Sequence, residues 1–201
     1  GAFAELALPV LKNLEMTAAV RWDKYSAVKD ALAKKDVGDS QDASTYKVTA
    51  RWSPVQQVLL RASYGTGFRV ADQDSIASPV VSAGFTAGSY VCPTALETEN
   101  AGFCRPGRAQ YDVKRGGNSE LSPEESKQYT LGFRIEPSNT VTFGADLWDV
   151  RMTNQVSSVS EIQAFADPAK FRELFSSFTN PATGEQKWSF LQAPINIGKS
   201  H

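Results

Sequence analysis

Residues that could carry out catalysis are few and scattered in this sequence. His201 is the single histidine and stands at the last position. A Ser-His-Asp triad, a Cys-His pair and a zinc site with several histidines are therefore nearly excluded, because each needs a histidine held among other side chains. The carboxylates show no spacing that would pair a nucleophile with a base. We expect no enzymatic activity, no catalytic residue, no metal site and no cofactor.

Cys92 and Cys104 are the only two cysteines, and they lie in a segment rich in Gly, Ser, Ala and Pro. Two thiolates alone cannot build a zinc site. They are either two free thiols of a cytosolic protein or a disulfide formed in an oxidising compartment, and we favour the disulfide. It would close a loop of roughly 13 residues and stabilise the fold by roughly 3 kcal/mol in the chain-entropy model.

Composition limits the classes of function. Among 201 residues, 21 are Lys or Arg and 22 are Asp or Glu, so neither net charge nor any basic cluster favours nucleic-acid binding. No apolar run is long enough for a transmembrane helix. The first ten residues lack the basic start of a signal peptide and already alternate. We expect a section of a longer protein.

The elements that would position any site are β-strands, since apolar and polar residues alternate with period two. The clearest case is "LEMTAAVRWDKY", residues 14–25, where Leu14, Met16 and Val20 share one face. The strands are predicted at about 2–8, 14–25, 45–52, 57–65, 127–136 and 140–152.

The connections alternate between short turns and long loops. Turn residues occupy 9–13, 53–57 and 137–139, whereas the long loops cover about 26–43, 65–126 and 154–193. Centring each hairpin on its turn predicts a register that puts apolar opposite apolar. The predicted pairs include Leu8 with Leu14, Ala50 with Leu60, Ile135 with Val141, and Gly132 with Gly144.

The two faces of these strands favour a membrane barrel over a soluble β-sandwich. The polar face carries charged side chains that would face a lumen: Arg21, Arg51, Arg61, Arg134 and Asp146. The apolar face ends in amphipathic aromatics suited to membrane interfaces: Trp22, Tyr46, Tyr64 and Tyr129 toward the long loops and Trp52 toward the short turns. An outward apolar band with aromatic girdles and a polar interior is typical of outer-membrane barrels.

Four segments carry a resemblance to one family. They are "AAVRWDKYS" (18–26), "LLRASYGTGFR" (59–69), "SELSPEESKQYTLGFRIEPS" (119–138) and "FGADLWDVRMTNQV" (143–156). In order, spacing and loop alternation they resemble the barrel of TonB-dependent outer-membrane receptors. The sequence departs from the family pattern after Phe68-Arg69, where Val70-Ala71-Asp72 stands in place of Ala-Pro.

The resemblance implies an all-β fold, an antiparallel up-and-down meander that would supply about six strands of a 22-stranded barrel and the start of a seventh. Residues 1–201 would form one partial barrel domain, without the plug domain, the TonB box or the terminal strand. The implied function is energy-coupled uptake of a scarce substrate, namely a ferric siderophore, cobalamin, haem or an oligosaccharide. The implied partners are outer-membrane lipid, the plug and remaining strands, and the inner-membrane TonB complex. A passive porin and a soluble β-sandwich binding module remain alternatives.

The long loops would then lie outside the cell. In the second loop, Arg105, Arg108, Tyr111 and Arg115 are candidate ligand contacts. In the third, the apolar spacing within "DPAKFRELFSSF" predicts a short amphipathic helix over 167–178.

Overall fold

The computed structural model describes residues 1–30, 34–180 and 183–200. Residues 31–33 and 181–182, within two of the predicted loops, and His201 lie outside the described part. The strands are β1 (Ala2–Leu11), β2 (Leu14–Tyr25), β3 (Val28–Asp30), β4 (Lys35–Val37), β5 (Gln41–Val55), β6 (Val58–Arg69), β7 (Val81–Phe85), β8 (Tyr90–Val91), β9 (Arg108–Ala109), β10 (Asp112–Arg115), β11 (Glu124–Ser138), β12 (Val141–Ser158), β13 (Phe175–Thr179), β14 (Gln186–Gln192) and β15 (Pro194–Ser200). The helices are α1 (Gln73–Ala77), α2 (Thr94–Asn100) and α3 (Glu161–Ala166), with 3₁₀ turns at Ala101–Phe103 and Arg172–Leu174.

Seven strands form one antiparallel sheet, the wall, in the order β1-β2-β5-β6-β11-β12-β15. Its strands run longer than the alternation indicated: β5 begins at Gln41, β6 ends at Arg69 and β12 ends at Ser158. The wall is a fragment of a barrel that does not close on itself, and β1 and β15 are its two edges. No helix in the described residues is both long enough and apolar enough to cross a membrane.

The predicted hairpin registers were wrong by two residues in all three hairpins. Leu8 pairs with Met16, Ala50 pairs with Ala62, and Ile135 pairs with Phe143. In each hairpin the chain turns through only two residues, at 12–13, 56–57 and 139–140. The register shifts beside each turn, as it does at a β-bulge. A shift of two leaves every side chain on its predicted face, because side chains alternate with period two.

The long connections fold into a lobe at the end of the wall opposite the two-residue turns, and we call that end the outer end. Its main sheet has the order β13-β14-β10-β7, with β10 and β14 parallel. The buried apolar side chains of the described chain lie in these connections and at the outer end of β15, not along the wall. The largest cluster joins the second loop to the third, with Leu96, Val113, Leu174, Trp188 and Phe190 among its members. The lobe therefore has the core that the wall lacks.

The predicted helix over residues 167–178 was wrong. The helix α3 lies upstream, where Ser160 forms a capping box with Gln163. The predicted segment instead forms a single 3₁₀ turn and then β13. Burial explains the difference, since Phe175 pairs with Phe190 in the lobe sheet and only 3% of its surface is exposed.

Candidate functional site

The outward face of the wall is apolar and open to its surroundings. Leu131 and Leu147 pair across β11 and β12 and expose 62% and 73% of their surfaces. Val20, Val48 and other large apolar side chains on this face are exposed in the same way. A soluble protein rarely exposes so broad an apolar surface, whereas a lipid-facing wall requires it.

The aromatic residues of this face step from strand to strand. Trp22 pairs with Ser44, two residues before Tyr46 on β5, and Tyr64 pairs with Val48, two residues after it. The aromatic position therefore moves toward the short turns as one crosses from β2 to β6. Strands of a membrane barrel are tilted, so a belt that stays level with the membrane surface must step in this way.

Tyr64 contacts the aromatic residue on each neighbouring strand, Tyr46 and Tyr129. The ring centroids of Tyr46 and Tyr64 are 5.7 Å apart and those of Tyr64 and Tyr129 are 4.8 Å apart. Trp52 lies near the opposite end of β5, paired with Leu60. Their assignment to the two membrane interfaces stays a prediction, and the geometry is compatible with it.

The predicted lumen-facing residues Arg21, Arg51, Arg61, Arg134 and Asp146 all lie on the opposite face of the wall. Three of the arginines hold a carboxylate on this face: Arg21 pairs with Asp23, Arg61 with Asp146, and Arg134 with Glu136. Trp148 also lies on this face and exposes 71% of its surface. The inner face is thus polar and charged, as a wet or protein-filled lumen tolerates.

The predicted glycine pair does not exist, because Gly132 lies opposite Asp146 and Gly144 opposite Arg134. A Cβ on Gly132 would overlap the Asp146 carboxylate and come within 2.9 Å of the Arg61 Nε. Gly132 therefore leaves space for this ion pair, rather than for another glycine.

The lobe is held by the disulfide between Cys92 and Cys104, whose Cα atoms are 5.6 Å apart. Of the four predicted ligand contacts, Arg105 lies beside Tyr111, whereas Arg108 and Arg115 contact Ser89 and Gln192 in other parts of the lobe. Tyr111 is only 3% exposed and belongs to the lobe core, and this burial raises the pKa of its phenol. A ligand-contact role for Tyr111 is accordingly corrected to a core role.

The three arginines of that prediction each contact the lobe itself. Arg105 donates to the Gln110 carbonyl at 2.8 Å, and Arg108 donates to the Ser89 carbonyl at 2.6 Å. Arg115 donates to the Gln192 side chain at 2.9 Å. Arg108 and Arg115 remain exposed, so part of each guanidinium stays accessible.

Glu161 fastens the second loop to the third. Its carboxylate, in the first turn of α3, accepts hydrogen bonds from the Ala87 and Gly88 amides at 3.1 and 2.9 Å and from the Tyr90 hydroxyl at 2.9 Å. Tyr90 in turn stacks on Phe165 of the same helix, with ring centroids 4.2 Å apart. A second link between the loops is the ion pair of Arg172 with Glu99, whose hydrogen bond lowers the pKa of the Glu99 carboxyl.

Glu124 ties three strands together where the wall meets the lobe. It is 4% exposed and accepts from the Arg69 Nε on β6 at 2.6 Å and from the Val156 amide on β12 at 2.8 Å. The hydrogen bond from Arg69 lowers the pKa of the Glu124 carboxyl, opposed by burial. Beside it, Asn196 of β15 donates to the Asn154 carbonyl at 2.7 Å.

A cavity of about 620 Å³ opens beside this network. Its lining includes Arg69, Glu124, Gln155 and Ile197, from four adjacent wall strands. In the residues that the structure describes, no cluster of His, Cys, Asp and Glu has an arrangement that could hold a metal ion. The sequence pattern missed Glu124, Glu161 and Asn196, because each acts through partners far away in the chain.

A sheet with one apolar and one polar face matches a known protein family. The β-barrel model of the TonB-dependent receptor-like proteins matches residues 1–199. The chain belongs to the TonB-dependent receptor family. TonB-dependent receptor barrels are outer-membrane proteins.

Solved receptors share the fold at low sequence identity. The siderophore receptor PirA from Acinetobacter baumannii is 13% identical with a TM-score of 0.61, over 98% of this chain and 23% of that one. PirA from Pseudomonas aeruginosa is 11% identical with a TM-score of 0.53, over 98% and 28%. The hemophore receptor HasR from Serratia marcescens, solved with HasA and heme, is 13% identical with a TM-score of 0.51, over 98% and 29%. The chain thus spans less than a third of these receptors. No curated protein sequence matches it.

Proposed function

We propose that this chain forms part of the wall and of the outer capture surface of a receptor that takes up a ferric siderophore or haem. In this proposal the outer membrane holds the wall, a plug and further strands complete the receptor, and the TonB complex of the inner membrane supplies the energy. The observation that carries the proposal is the match of the family model over residues 1–199. The sheet that it covers has one exposed apolar face and one polar, charged face, as a membrane barrel requires.

The outward face supports the membrane part of the proposal. Large apolar side chains of this face are exposed on β1, β2, β5, β11 and β12, and lipid would cover them. The inner face carries ion pairs at half-exposed positions, which water or polar protein would solvate. The long connections meet at one end of the wall, where they form the folded lobe.

The lobe and the cavity at its base supply the capture surface in this proposal. Arg108 and Arg115 are exposed donors on the lobe, and Arg69 lines the cavity below it. Two of the structures with the same fold are named for siderophores and one for a hemophore with heme, which favours an iron carrier over cobalamin or an oligosaccharide.

The test uses the full-length gene in its own cell. Deletion should abolish uptake of radioactive iron supplied as a siderophore or as haem at low external concentration, and loss of TonB should have the same effect. Uptake that persists without TonB would support the passive porin. Recovery of the intact protein in the soluble fraction would support the β-sandwich module instead.

A further inference from the structure

Five side-chain positions form one row across the inner face of the wall. Glu15, Arg51 and Arg61 are laterally paired on β2, β5 and β6, and Gly132 and Asp146 continue the row on β11 and β12. Two arginines therefore stand directly opposite each other. Like charges in this position destabilise a sheet unless an anion lies between or beside them.

Only one of these two arginines is neutralised within the wall. Arg61 reaches over Gly132 and donates to Asp146 from Nε at 2.8 Å. Arg134, two residues further along β11 from Gly132, is held by Glu136. Among the described residues, Arg51 forms no ion pair, although Glu15 is its neighbour in the row. Within the described wall, the Arg51 guanidinium therefore has no carboxylate partner and lies exposed on the inner face.

A row of hydroxyl groups lies next to the arginine row. Thr17, Thr49, Ser63 and Thr130 are laterally paired on four successive strands, each two residues from the arginine row toward the lobe. Hydroxyl groups can donate to an anion without adding charge. The wall therefore places neutral donors beside the Arg51 guanidinium.

The two rows border a cavity of about 460 Å³ on the inner face. Its lining includes Arg51, Arg61, Arg134, Thr49, Ser63 and Thr130. A planar guanidinium matches carboxylate and phosphate oxygens with two parallel hydrogen bonds. The cavity is large enough for such a group together with the part of a solute that carries it.

We propose that Arg51, with the hydroxyl groups of Thr49, Ser63 and Thr130, binds the carboxylate or phosphate group of an anionic solute in the lumen. The site rests on the proposed function in one respect, that the polar face lines a transport path. Arginines that line a pore select for anions, and a transit site must release what it binds. Arg51 has no ion pair within the described part of the wall, and its neighbour Arg61 is paired with Asp146, so the site meets both requirements.

The test measures binding of radiolabelled inorganic phosphate and of citrate to the purified full-length protein by equilibrium dialysis. Arg51→Gln should weaken both by about tenfold, as expected when one charge-assisted hydrogen bond is lost. Arg51→Lys should weaken them less, because the charge remains while the fork geometry is lost. Arg21→Gln is the matched control, since Arg21 lies on the same face, is held by Asp23 and should leave affinity unchanged.

A gain of affinity provides the second arm. Asp146→Asn releases Arg61 beside Arg51, so phosphate and citrate should bind several-fold more tightly, a result that misfolding cannot produce. Unchanged affinity in both Arg51→Gln and Asp146→Asn overturns the proposal. So does an equal loss in Arg21→Gln, or a wild-type protein that binds neither anion because a carboxylate of its own chain fills the site. Any of these results, with TonB-dependent iron uptake intact, removes the anion site and leaves the proposed function standing.

Discussion

Arg61 and Asp146 form an ion pair across a strand to which neither belongs. Arg61 lies on β6 and Asp146 on β12, and the strand between them, β11, contributes Gly132 at the crossing point. A glycine is required there because any Cβ would overlap the Asp146 carboxylate. Three strands are thereby connected by one side-chain contact in addition to their backbone hydrogen bonds.

Gly132→Ala should therefore break the Arg61–Asp146 pair. Both side chains are about half exposed, so solvent screens the pair and the loss of unfolding free energy should be small. Urea unfolding of the full-length protein in detergent measures it, and Asp146→Asn added to Gly132→Ala should have little further effect. Gly65→Ala is the control, since a Cβ at this inner-face position meets its nearest neighbour at an ordinary 3.5 Å. Equal losses in the two glycine variants would contradict the account.

Leu131→Arg and Gln128→Arg test which face of β11 meets lipid. Leu131 lies on the apolar face and Gln128 on the polar face of the same strand. A charge on the lipid side of a barrel costs about 2 to 4 kcal/mol near the midplane, so Leu131→Arg should reduce assembly in the outer membrane. Gln128→Arg should assemble normally. Heat-modifiable gel mobility of membrane fractions reports assembly, and the reverse result would mean that the two faces are exchanged.

Removing the Cys92–Cys104 disulfide should loosen the lobe and leave the wall intact. Both residues contact the main lobe core, whereas the wall contributes little to that core. The double Cys→Ser variant should lose about 3 kcal/mol of lobe stability. Limited proteolysis should then cut faster between residues 93 and 103, while heat-modifiable mobility is kept. A change in wall assembly instead would show that the lobe and wall fold as one unit.

The wall was the predictable part of this molecule. Period two is a local signal, so the sequence placed Leu131 and Arg134 on opposite faces before any pairing was known. The register was missed by two residues, because alternation does not reveal a two-residue turn with a bulge beside it. The same slip paired Gly132 with Gly144 and concealed its contact with Asp146.

The lobe was not predictable, because its structure depends on contacts distant in sequence. The spacing of Phe171, Leu174, Phe175 and Phe178 fits a helix, yet Phe175 pairs with Phe190 in a sheet. Tyr111 lies among polar residues in the sequence and is nevertheless buried in the lobe core. Tertiary burial overrides local spacing in both cases.

Glu161→Ala should detach residues 86–90 from α3. The carboxylate accepts three hydrogen bonds from that segment, and bonds to a charged acceptor are the stronger kind. Amide hydrogen exchange at Ala87 and Gly88 should speed up by about tenfold or more. Glu173→Ala removes an exposed carboxylate of the same loop and should change neither amide. Protection that survives in Glu161→Ala would show that the rest of the lobe holds the segment.

The contact of Glu124 with Arg69 should make the outer end of the wall sensitive to acid. Because the folded-state pKa of Glu124 lies below its usual value of 4.5, its contribution to stability is complete above about pH 4.5 and is lost as the pH falls through the lowered pKa. Protonation weakens the bonds from Arg69 and from the Val156 amide. Exchange of the Val156 amide, corrected for intrinsic rate, should therefore accelerate below pH 4.5. Glu124→Gln should show fast exchange at every pH, and a variant that keeps the wild-type pH profile would assign the acid sensitivity to another group.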